Sequence, residues 1–198
     1  MSALFKITYG LYLLTAKENG FNNGCIINTV MQVAENPDRL VIAVNKQNKT
    51  HDMIKTTGEF CVSTITTEAD FSLFQRFGMQ SGTTANKFDG FSHVSETKCG
   101  ILRLSKFSNA YMTAKVIETV DLGTHTLFVA KVSEMEVLND NAPCTYEYYH
   151  KEIKPKPKES GGKKWVCNIC GYTYEGEELP DDFICPLCKH GKEDFSLI

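Results

Sequence analysis

Cys167 and Cys170, then Cys185 and Cys188, form two Cys-x-x-Cys pairs within the last 32 residues of this 198-residue chain. No other feature limits the possible fold as tightly. Each such turn sets two sulfurs about one turn apart, where they can grip one ion while backbone N–H groups face them. Gly171 directly follows Cys170 and can take the positive φ the turn needs, and Pro186 stiffens the second turn. Two pairs make a closed tetrahedral sulfur site, suited to iron or zinc and with no open position for a substrate. A metal held in this way either passes electrons or holds the fold together. Trp165, Tyr172, Tyr174, Phe183 and Phe195 crowd around the cysteines. A segment of this size cannot build a stable core without such a staple.

The other four cysteines, Cys25, Cys61, Cys99 and Cys144, are scattered singly and read as small buried apolar residues. No run approaches the ~18 apolar residues of a membrane span, and the N-terminus lacks the apolar core of a signal peptide. The expectation is a cytoplasmic protein with no membrane partner. A net charge of -3 argues against a nucleic-acid partner. The charge is uneven: residues 1-150 carry 13 Lys/Arg and 15 Asp/Glu, residues 151-164 carry 6 and 2, and residues 165-198 carry 2 and 7. That pattern predicts a domain at 1-150, a basic linker at 151-164 and a small acidic domain at 165-198. The linker holds two prolines and a Gly-Gly pair, part stiff and part loose.

Residues 1-150 show more strand than helix signals. Phe5 to Thr15 is rich in β-branched and aromatic residues, Glu18-Asn19-Gly20 marks a turn, and Cys25 to Val33 resumes an apolar run. Asn36-Pro37 breaks that run before a short strand from Leu40 to Val44. Thr50 is expected to cap a short helix to about Lys55, and Thr67 a longer one to Phe77. Phe107 to Val120 and Gly123 to Leu138 read as long strands. The predicted fold is mainly β, a Greek-key barrel. No GxGxxG or P-loop occurs, so folds that depend on them are not supported.

The segment CxxCGYxYEG followed by PDDFxCPLCxxGKxDF resembles rubredoxin, whose ion is iron cycling by one electron. Only 14 residues separate Cys170 from Cys185, a short loop that resembles the rubredoxin-like tail of rubrerythrins, and Lys189 stands where glycine is common. Upstream, GCIINTVMQVAENPDRLVIAVNKQNKTHDMI, FGMQSGTTANKFDGF and GTHTLFVAKV resemble the flavin reductase-like, FMN-binding split-barrel family. A flavin domain joined to a terminal rubredoxin is similar to the high molecular weight rubredoxins of anaerobes. The resemblance implies that Asn28, Thr29, Val30 and Asn45 line the isoalloxazine of FMN. It implies that Lys46, Asn48, the Thr50 helix start and His51 meet the phosphate, as a cation and free N–H groups suit. Ser81 and Lys87 would belong to a loop over the cofactor, often from the neighbouring subunit of a homodimer. His125 would lie at the nicotinamide side, although relatives have Gly-Asp-His where this chain has Gly123-Thr124-His125.

Taken together these features imply an electron relay, in which NAD(P)H reduces FMN and FMN reduces one iron at Cys167, Cys170, Cys185 and Cys188. The resemblance points to a flavo-diiron oxygen or nitric oxide reductase as acceptor. Two other readings stay open: a flavin reductase with a structural zinc tail, and a non-enzymatic carrier reduced by another protein. Lys46 and Asn48 also suit ordinary turns, and His125 a half-exposed strand face.

Overall fold

The computed structural model describes residues 3–155, 163–169, 171–185 and 190–198. A 3-10 turn at Ala3–Lys6 precedes β1 (Tyr12–Glu18), so the first strand starts later than the apolar run at Phe5 suggests. Asn19 and Gly20 both take positive φ (50° and 81°) between β1 and β2 (Phe21–Ile27), and Glu18 pairs with Phe21. This is the two-residue loop whose twist matches a β-hairpin, and glycine is the residue that takes its second position without strain. Asn28 and Thr29 lead to β3 (Val30–Ala34), which turns at Asn36-Pro37 into β4 (Arg39–Asn45). There follow α1 (Lys49–Thr57), β5 (Glu59–Ile65), α2 (Phe71–Gly78) and a small hairpin, β6 (Val94–Glu96) with β7 (Leu102–Leu104). The long strands β8 (Ser108–Asp121) and β9 (His125–Val137) come next. The segment closes with α3 (Tyr146–Tyr148) and a π turn at Tyr149–Ile153.

Seven strands form one antiparallel sheet in the order β2-β1-β5-β8-β9-β4-β3. Its two edge strands, β2 and β3, are neighbours in sequence. Three Cα steps from Ile27 to Val30 reach no more than about 11 Å, so the sheet must curl until its edges approach. They remain unpaired among the described residues, which makes a split barrel with Asn28 and Thr29 at the seam. Inside lie Leu14, Ile42, Val44, Phe60, Val62 and Phe128, with Met53 and Ile54 of α1 closing the barrel. A second cluster packs α2 (Leu73, Phe74, Phe77) against Leu11, Leu13 and Tyr149. Tyr149 meets Phe74 at 4.5 Å between ring centres and Tyr146 packs against the same cluster, whereas Tyr148 is exposed.

Helix starts differ from the sequence expectation. Asn48, not Thr50, is the N-cap of α1, and Thr50 is turned into the core. Asp70, not Thr67, caps α2, its carboxylate accepting from the Ser72 amide at 2.9 Å. A carboxylate is the stronger acceptor at a helix start, where the macrodipole also favours it. Cys25, Cys61 and Cys144 are buried as expected, whereas Cys99 is exposed beside the tight turn at Gly100.

The C-terminal sheet has the order β11-β10-β12, from β10 (Lys164–Cys167), β11 (Thr173–Glu175) and β12 (Phe195–Leu197). Its core is Cys167, Leu179, Cys185 and Phe195, ringed by Trp165, Tyr172, Tyr174 and Phe183. Among the described residues no helix is long and apolar enough to cross a membrane.

Candidate functional site

At one end of the barrel β4 ends and β9 begins. Asn45 pairs with His125 across this end, and the Lys46 amide donates to the Thr124 carbonyl at 3.0 Å. Thr29 at the seam donates its hydroxyl to the Ala43 carbonyl at 2.9 Å, which ties Asn28–Thr29 to the same strand. The register thus brings Asn28, Thr29, Val30, Asn45, Lys46 and His125 to one rim, all half-buried. The Thr124 hydroxyl bonds Nδ1 of His125 at 2.9 Å. Asn45 Oδ1 accepts from the Gln47 amide at 2.9 Å and shapes the turn into α1.

Asn48 caps α1 by backbone alone, with no hydrogen bond from its side chain. The His51 amide donates back to the Asn48 carbonyl at 2.9 Å, which leaves the Lys49 and Thr50 amides for an outside acceptor, and the helix dipole favours an anion there. Lys46 stands two residues earlier. Its ammonium meets Asp121 Oδ1 at 2.7 Å, and Asp121 also accepts the Gly123 amide at 2.8 Å. Those two contacts, the lysine first, hold the Asp121 carboxyl below its ordinary pKa. Asp121 is an acid that sequence reasoning missed. It sits two residues before Gly123, and only the strand register shows that it reaches Lys46.

Beneath α1 the polar groups turn inward. Thr50 is fully buried and accepts from Asn23 Nδ2 at 3.2 Å. Asn23 is only 1% exposed, and its Oδ1 has no partner among the described residues. A buried amide carbonyl in that state calls for a donor such as a ligand hydroxyl. Gly82 lies so close to Asn23 that a Cβ there would collide with the amide, so the loop after α2 covers this spot. Sequence reasoning missed Asn23 because asparagine in a strand carries no signal of its own. Ser81, in the same loop, is exposed and bonds Thr83 at 2.6 Å.

Two expected cofactor contacts are placed inside the protein. His51 is buried with Nε2 at 2.9 Å from Thr126 Oγ1 and Nδ1 at 2.8 Å from Asp52, its ring edge toward Phe128. Lys87 is 3% exposed, and its ammonium donates to the carbonyls of Gly24 (3.0 Å) and Phe77 (3.1 Å). Burial pushes its pKa down. In this chain Lys87 pins the root of the loop to β2 and α2.

In the C-terminal unit Cys167 and Cys185 are buried in one cluster; Cys170 and Cys188 lie outside the described residues. Gly171 takes φ 72°, and its amide closes the first turn on the Cys167 carbonyl at 2.7 Å. The second turn is tied by the Cys185 amide to the His190 carbonyl at 2.8 Å.

Residues 4–156 match the family model described as flavin reductase like domain, and residues 165–196 match the rubrerythrin, rubredoxin-like domain. A curated high molecular weight rubredoxin of Moorella thermoacetica is 35% identical over 99% of this chain and 98% of its own length. The chain belongs to the high molecular weight rubredoxin family. A ferric-chelate reductase (NAD(P)H) of Archaeoglobus fulgidus is 38% identical over 79% of this chain and 92% of its own. The solved flavoredoxin of Methanosarcina acetivorans shares the fold, with a TM-score of 0.60, 23% identity and coverage of 69% of this chain and 74% of that one. Membership joins a flavin reductase-like oxidoreductase unit to a rubredoxin-like electron-transfer unit that serves a protein partner. The donor set suits both groups: an uncapped helix start with Lys46 and an unmet buried carbonyl for a phosphorylated flavin, and buried thiols in rigid turns for a soft metal.

Proposed function

We propose that the chain oxidises NAD(P)H at FMN and passes the electrons singly to one iron held by Cys167, Cys170, Cys185 and Cys188, and from there to a protein acceptor. The observation that supports this reading is the rim itself. The α1 start, Lys46, Asn45, the Asn28–Val30 seam and His125 converge at one end of a barrel whose chain continues into a four-cysteine unit. When bound, the flavin would accept one hydride, two electrons at once, and release them singly to an iron that takes one at a time. The protein binds and orients. Lys46, Asn48 and the first α1 amides hold the phosphate, while Thr50 and His51 support that turn from below. Asn28, Thr29, Val30 and Asn45 bracket the ring system. His125 stands beside it at the nicotinamide side, with Thr124 fixing one ring nitrogen. Ser81 approaches from the covering loop, and Lys87 keeps that loop in place. Asp121 orients Lys46 and partly offsets its charge.

The proposed division is a barrel at 1-150, a linker at 151-164 and an iron unit at 165-198. Exposed apolar residues on β3 (Met31, Val33) and at the end of β8 (Ile117, Val120) suit a homodimer contact. Cys25, Cys61, Cys99 and Cys144 are free thiols, which suits the reducing cytoplasm. A flavo-diiron oxygen or nitric oxide reductase is the proposed acceptor.

Anaerobic absorbance before and after NADH, then NADPH, tests the reading. Flavin and ferric-thiolate bands should both be present and both bleach. Iron that stays ferric after full flavin reduction would refute the relay. A colourless, zinc-loaded tail would favour a flavin reductase that releases its product instead.

A further inference from the structure

Beyond the rim, two contacts join the two units among the described residues. Met79, the C-cap of α2, packs against the cluster of Cys167, Leu179, Cys185 and Phe195. This is the only barrel residue in that cluster among the described residues, and it is a flexible, polarizable side chain suited to a reversible contact. The second contact comes from the first residues of the linker. Lys154, the C-cap of the π turn, lays its ammonium against Gly171, so that a Cβ at Gly171 would collide with it. Both anchors are built on the same packed side of the barrel, where Phe74, Phe77 and Tyr149 form one core and Ile153 leans on it. Lys163 and Lys164, at the other end of the linker, pair with Glu177 (3.2 Å) and Glu175 (3.8 Å) of the iron unit.

Met79 also marks a particular place. Three residues later Gly82 lies on Asn23, whose amide holds Thr50 in the first turn of α1. A partner seated on Met79 therefore sits at the root of the loop that covers the candidate flavin site of the same chain.

We propose that Met79 and Lys154 form a docking platform on which the iron unit receives electrons from the flavin of its own chain. This rests on the relay reading above. Each reduced flavin gives up two electrons and each ferric ion takes one. An external acceptor must therefore remove the first electron, by undocking or at the exposed side of the unit, before the second transfer. Ile169, next to Cys170 in the chain, and Ile184, next to Cys185, are exposed and available for that acceptor.

The test uses the full chain loaded with flavin and iron, with Met79→Asp against Met79→Leu. A carboxylate placed in an apolar contact disfavours docking, while leucine preserves it. Stopped-flow absorbance should show iron reduction slowed about tenfold or more in Met79→Asp, the effect of weakening the docked state by roughly 1.4 kcal/mol. Flavin bleaching by NAD(P)H should stay within about twofold, since the linker still supplies the unit at high effective concentration without touching the hydride step. Hydrogen exchange read at residues 171–175 should rise in Met79→Asp and not in Met79→Leu. Unchanged exchange together with wild-type iron reduction in Met79→Asp would overturn the proposal. Exchange that rises as expected while even the wild type never reduces its iron would instead overturn the relay reading and leave the docking contact standing.

Discussion

Replacing Lys87 with methionine removes a buried cation but keeps most of its volume, so the change isolates the two hydrogen bonds. The ammonium donates to Gly24 O at 3.0 Å and Phe77 O at 3.1 Å, and so joins β2 to the end of α2. Each buried carbonyl left without that donor costs about 1–3 kcal/mol. Against this, removing an ammonium from a buried site relieves a desolvation penalty of several kcal/mol in part. A net loss of about 2 kcal/mol follows, or about 4–8 °C in Tm for a chain of this size. Far-UV circular dichroism follows the barrel, while the single tryptophan, Trp165, reports the iron unit separately. The sign with pH is also defined. Burial lowers the folded pKa of Lys87, so between that value and the unfolded one near 10.4 the unfolded chain binds more protons. Stability from this group therefore rises with pH across that window, and Lys87→Met should flatten the rise. A variant with an unmoved midpoint but flavin affinity down about tenfold, or roughly 1.4 kcal/mol, would refute the reasoning. In that case the ammonium reaches the ligand and not the two carbonyls.

Asp70→Ala removes the α2 cap and should lower stability by about 1 kcal/mol at neutral pH, read by urea unfolding. The Ser72 hydroxyl holds the Asp70 carboxyl below its ordinary pKa. The cap's contribution is thus complete above the unfolded value near 3.9 and fades as pH falls through the folded one, so the two proteins should converge in acid. Iodoacetamide should alkylate exposed Cys99 in the native protein, with Cys25, Cys61 and Cys144 reacting only on unfolding; intact-mass spectrometry counts the adducts. Burial alone raises Cys144 to about 11, and it is the leading cause of the rise of Cys61 to about 12, so neither forms appreciable thiolate at neutral pH. Cys185→Ser should abolish the ferric-thiolate band and raise exchange throughout 163–198 while flavin stays bound, because the four buried core residues among those described are too few to hold that unit without a metal.

The turn at Asn19-Gly20 and the long strands β8 and β9 were legible from the chain, since each depends on neighbours a few residues apart. The helix caps were legible only in kind. Thr67 and Asp70 both carry capping groups, and the choice fell to the one whose carboxylate reaches the Ser72 amide. The rim residues were named from a resemblance, but their geometry came from register. Pairing of Asn45 with His125 and the anchoring of Thr29 on Ala43 gather residues that no local pattern connects.

Sequence by itself determined the chemistry on offer: thiols at metal-gripping spacing, a lysine and asparagine before a helix, a histidine at a strand start. Tertiary structure decided which of these groups face outward. Lys87 and Gly24 are 63 residues apart, and only their packing turned a candidate ligand contact into an internal brace. Lys46 and Asp121 are 75 apart, and only the strand register made the acid part of the rim. Residue type and local spacing are properties of the chain, whereas desolvation and choice of partner exist only once distant segments have displaced water from between them.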